Sequence, residues 1–141
     1  MKSRQSLIRL HRFQVDEQRR QVAEIETMVA DFAQKASELD QQIEAEQQRT
    51  GITDESHFAY PMFAKAAKGR RDNLLNSIED LKVRLEVAKE GLAEAFAELK
   101  KFELMQDRED GRQRADEASR EQAESDEIGI NMHMQDSFKP A

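Results

Sequence analysis

Three histidines, a run of glutamates at every fourth position and a Met-His-Met triplet are the residues of this chain whose types could do chemistry. An imidazole can act as a general base or a metal ligand, but His11, His57 and His133 are expected in a helix seam, a turn and a tail. Nothing in that arrangement builds a concave pocket around a base. Met132-His133-Met134 combines thioether and imidazole donors suited to copper(I), although a mobile tail that happens to hold these residues is the simpler account. Phosphate loops, dinucleotide fingerprints, H-E-x-x-H and calcium-loop motifs are absent, and the glycines at 51, 69, 91, 111 and 129 are too dispersed to cradle a phosphate. With no cysteine there is no thiol nucleophile and no thiolate metal site. The expectation is a protein that is not an enzyme, with no catalytic residue, no cofactor and no metal.

Binding chemistry is better represented. Glu86, Glu90, Glu94 and Glu98 form an acidic ridge if their segment is helical, and neighbours on such a ridge repel by a few tenths of a kcal/mol per pair. Such a row is either a solvated face or a docking edge for a basic partner, with Glu90 and Glu94 at its centre. Phe58, Tyr60, Met62 and Phe63 crowd one short stretch, either as a plug or as a contact site. His11 and Gln18 fall on an otherwise apolar stripe, where polar layers set register more often than they bind ligands.

What must position these residues is helical. Of 141 residues, 36% are charged and 38% hydrophobic, with 2 Pro and 5 Gly, a composition typical of coiled coils and too lean in apolar material for a thick core. The net charge of -7 argues against nucleic acid, and no apolar run reaches the length of a signal peptide core or a membrane span. Ile8, His11, Val15, Gln18, Val22, Ile25, Val29, Phe32, Ala36, Leu39 and Ile43 follow alternating steps of 3 and 4. The stripe returns in Leu74, Ile78, Leu81, Leu85, Ala88, Leu92, Ala95, Leu99 and Phe102. Between them Gly51 can end a helix, Asp54 or Ser56 can cap the next, and Pro61 suits a first helical turn. The fold class expected is all-α: two long helices in an antiparallel coiled-coil hairpin, the second overhanging the first. The bounds expected are a first helix over 4–49, a turn over 50–60, a second helix over 61–125 that is polar after 106, and a disordered tail over 126–141.

Antiparallel layers require facing residue numbers to add to a constant, and totals of 110 and 117 both set apolar against apolar. The total of 110 pairs Phe32 with Ile78 and Val29 with Leu81 but puts Arg71 against Leu39. The total of 117 puts Arg71 opposite Glu46 and His11 opposite Gln106, and demands a turn of about sixteen residues, longer than helix connections usually are. The shorter turn favours 110. Basic side chains dominate the first 20 residues, whereas 107–127 carries nine acids against four arginines.

The chain resembles the FliJ family, small coiled-coil components of the flagellar type III export apparatus. The resemblance runs from Leu7 to about Arg108 and is carried by Gly51-Ile52, by Tyr60-Pro-Met-Phe63, and by Leu104-Met105-Gln106-Asp107-Arg108 after a gap-free helix. The beginning, with Leu7 and Arg9-Leu10-His11-Arg12-Phe13, is similar to alphaproteobacterial members. The resemblance implies a cytoplasmic hairpin like the shaft of a rotary ATPase, placed in the pore of the hexameric export ATPase and linking it to the export-gate membrane protein. Family members also bind export chaperones. Tyr60 and Phe63 match the family's aromatic pair on the gate side, while Ala45 and Arg49 occupy two further gate-side positions that are aromatic in the family. The ring side would fall at Arg9, Arg12 and the stretch ending in Gln106, Asp107 and Arg108. An export chaperone or adaptor, or a coiled-coil spacer, is the alternative function.

Overall fold

Residues 2–50 contain neither Gly nor Pro, so nothing interrupts helix propagation once a first turn exists. In the computed structural model, which describes residues 2–137, this stretch is one helix, α1 (Lys2–Thr50), and α2 (Met62–Ser137) folds back along it. At 1.5 Å per residue the arms measure roughly 73 and 114 Å. Among the described residues there is no strand. The chain is an all-α antiparallel hairpin.

Its core is a single seam. Ile8, Val15, Val22, Ile25, Ala36 and Ile43 from α1 meet Ala64, Ala67, Ile78, Leu81, Ala88 and Leu99 from α2, and no polar or charged residue among those described is buried. Val22, Ile25, Leu81 and Ala88 form one cluster with Val29, Phe32, Leu85 and Leu92 around it; Ile8, Val15 and Leu99 form another with Ala95 and Phe102. Each buried aliphatic side chain contributes about 1.5–3 kcal/mol, so the hairpin is held by many modest layers rather than by one dense centre.

The register is the one centred on 110. Gln18 lies so close over Gly91 that a Cβ there would come within 2.9 Å of its Oε1, which the slid alternative would not permit. Arg71 does not stay against Leu39: its guanidinium leaves the seam, donating to Asp40 at 2.9 Å and to Asp72 at 2.9 Å. These two carboxylates, Asp40 before Asp72, hold its pKa above the usual arginine value. At the open end Arg4 pairs with Glu109 at 3.7 Å, and beyond this pair the partner helix runs out.

The ends differ from the sequence expectation in two ways. Pro61 precedes the second helix as its cap, its carbonyl accepting from Lys65 N–H at 3.1 Å, and Met62 is the first helical residue. Helix α2 also continues through 126–137, where a tail was expected, and the residues from 138 lie outside those described. Propagation explains the continuation. One helical glycine, Gly129, costs only about 1 kcal/mol, Gln122 donates to Asp126 at 3.0 Å, and no proline intervenes before Pro140. Every described side chain from Arg112 to Asp136 is exposed.

Candidate functional site at the two ends of the hairpin

The tip is built by hydrogen bonds. Gly51 takes φ 73°, a left-handed conformation that glycine adopts without steric cost, and its N–H donates to Gln47 O at 2.8 Å, closing α1. Thr50 Oγ1 donates to Glu46 O and accepts from Ile52 N–H at 3.3 Å. Asp54 Oδ1 accepts from the Ser56 hydroxyl at 2.8 Å and from Ser56 N–H at 3.0 Å, an Asx turn that lowers the Asp54 pKa. His57 is a turn former too, its Nδ1 accepting from Ala59 N–H at 3.0 Å while its ring stacks on Phe58 at 4.8 Å.

This turn separates the two aromatic residues that the sequence placed together. Tyr60 is buried at the end of the seam, where its hydroxyl accepts from Gln47 Nε2 at 3.0 Å and Lys68 Nζ sits 5.4 Å from its ring centroid. Lys68 also pairs with Glu55 at 3.1 Å, and that carboxylate, more than Tyr60, raises its pKa. Phe63 is 52% exposed, beside Phe58 at 97% and Met62 at 87%. The cluster therefore divides: Tyr60 closes the hairpin as a plug, and Phe58, Met62 and Phe63 face outward. Ala45 is exposed, and Arg49 pairs along its own helix with Glu46, lowering that carboxylate's pKa.

The open end is charged. Arg9, Arg12, Asp107 and Arg108 are exposed, with Leu10 and Phe13 exposed among the arginines. Gln106 is half-buried and donates to Asp110 at 2.8 Å. His11 lies in the seam, stacked on Phe102 with centroids 4.6 Å apart. Single-helix geometry then takes over, and Met132 and Met134 project about 200° apart around the axis, too divergent to share one ion. Among the described residues no group of three or more His, Cys, Asp or Glu is gathered in metal-binding range.

The family model described as "Flagellar FliJ protein" matches residues 1–137. The chain belongs to the FliJ family. It is thus a component of flagellar protein export, and the family match extends past the hairpin through the overhang, not only to Arg108. No curated protein and no solved structure matches the chain. No described helix is long and apolar enough to cross a membrane.

For this FliJ-family chain a third surface lies midway along α2. Glu90 and Glu94 are exposed, and steps of 4, 3 and 4 put them on one stripe with the exposed Val83 and Val87. The valines were not singled out from the sequence, although their spacing relative to the glutamates carried the signal.

Proposed function

We propose that the protein is a non-enzymatic stalk of the flagellar export apparatus at its cytoplasmic face, seated by its open end in the ring of the export ATPase and linking that ring to the cytoplasmic domain of the export-gate membrane protein. The observation that carries this reading is a single rod whose ends differ in chemistry. Arg9, Arg12, Asp107 and Arg108 offer charge and Gln106 an amide at one end, and Phe63, backed by Tyr60, offers aromatic surface at the other. A rod of two helices zipped along a continuous seam can pass a bias between partners, whereas a flexible linker cannot. Nucleotide chemistry belongs to the partner.

The test is a pull-down of the full chain with the ATPase and, separately, with the gate's cytoplasmic domain. Arg9→Glu with Arg12→Glu should lose the ATPase and keep the gate, and Phe63→Ala should do the reverse. Loss of both partners, or of neither, in each variant would remove the two-ended stalk. A second reading, an adaptor for export chaperones, is favoured by the Val83, Val87, Glu90 and Glu94 stripe, which mixes apolar and acidic groups as a docking edge does. Glu90→Lys with Glu94→Lys should then weaken a basic partner without changing helix content.

A further inference from the structure

We propose that the hairpin has a second register, in which α2 slides one heptad toward the tip so that facing residue numbers add to 117. The use of such a slide by partners rests on the stalk reading; its existence does not.

A slide of a whole heptad keeps the middle of the seam apolar, setting Val15 against Phe102, Val22 against Ala95, Ile25 against Leu92 and Phe32 against Leu85, at the cost of setting Ile8 against Glu109 at the open end. It also mends defects of the present register. His11 Nδ1 and Gln106 Oε1 are both buried without a hydrogen-bond partner, and buried polar atoms are rarely left so. They come from residues that face each other after the slide, an imidazole nitrogen and an amide oxygen able to form one hydrogen bond. An open groove of ≈ 510 Å³ runs beside Phe32, Leu39 and Leu74, and Arg71 nearby is paired with Asp40 rather than with a partner across the seam. After the slide Arg71 faces Glu46 and Leu39 faces Ile78, so charge meets charge and the apolar wall is covered.

The present register is held by the tip. Tyr60, Ala64 and Ala67 are buried there, Tyr60 bonds Gln47, and Lys68 bonds Glu55. The slide lengthens the turn to about sixteen residues, unwinds the first turns of α2 and frees Tyr60 beside Phe63. The overhang is drawn in by about 10 Å at the same time. A partner that prefers the freed aromatics and a partner that grips the overhang therefore bias one equilibrium from opposite ends of the rod.

The chain has no cysteine, so engineered pairs report on register directly. Three double variants of the full chain are compared under mild oxidation: Val22→Cys with Ala88→Cys for the present register, Val29→Cys with Ala88→Cys for the slid one, and Val29→Cys with Ala95→Cys for a slide too far. The first should close fully, and the second should close about tenfold faster than the third. Adding His11→Leu alone removes one member of the polar pair, leaves the Gln106 amide facing a leucine in the slid register, and should slow the second closure by about tenfold, with helix content by circular dichroism unchanged. Closure of the second pair no faster than the third, or a rate indifferent to the leucine, would overturn the second register. Neither readout involves the ATPase or the gate, so failure of the stalk reading would leave both rates as they are.

Discussion

Helix α2 leads two lives along one backbone. From Ala64 to Glu109 it is half of a seam, with small or aliphatic residues buried at steps of 3 and 4; from Arg112 to Asp136 it is a lone helix with every described side chain in water. The secondary structure is the same and the source of order is not. In the paired half, burial supplies the stabilisation and the sequence must keep a heptad period. In the overhang, only hydrogen-bond propagation and local pairs such as Gln122 with Asp126 hold the helix, so the period disappears without the helix ending.

The contrast is sharpest in truncations. Leu81→Ala should cost about 2–5 kcal/mol of unfolding free energy in a urea titration, while Ile130→Ala, equally aliphatic but exposed, should stay within about 0.5 kcal/mol. Equal losses would mean that the overhang is packed against something. At the tip, Gly51→Ala forces a Cβ into a left-handed residue and should cost about 1–2 kcal/mol by the same titration. Tyr60→Phe deletes one half-buried hydrogen bond and should cost about 0.5–1.5 kcal/mol, lowering the melting temperature without exposing the ring.

The smallest effect is electrostatic. Asp54 releases its proton more readily in the folded turn than in an open chain, so its support is complete above the ordinary carboxylate range. That support fades as pH falls through the depressed value. The Ser56 amide resonance should follow this acid transition, and Asp54→Ala should abolish it while the midpoint of the seam's unfolding stays in place.

The hairpin was legible because period is a property of spacing, and nine consecutive stripe residues from Leu74 to Phe102 leave little freedom in which face turns inward. The preferred register was legible too, since turn length decided between totals of 110 and 117. The seam's last layers were not. Ala64 and Ala67, exposed by 0% and 1%, are the best buried residues at the tip, yet alanine, the best helix former, also suits exposed helix positions, and only packing shows that the helices approach closely there. Tyr60 and Phe63 could not be told apart by type; the Asx turn at Asp54 and the Gln47 amide select which ring goes in. The overhang was cut short at 125 because its polar text carries no stripe, and absence of a stripe predicts absence of a partner, not absence of a helix.

The seam is one-dimensional, each layer leaning only on the layers beside it. Seven residues added to each arm at facing positions therefore leave the tip and the open end chemically untouched while moving them about 10 Å further apart. Reach and recognition are separate heritable traits in such a molecule, so the span between two docking points can be gauged by heptads without redrawing either point.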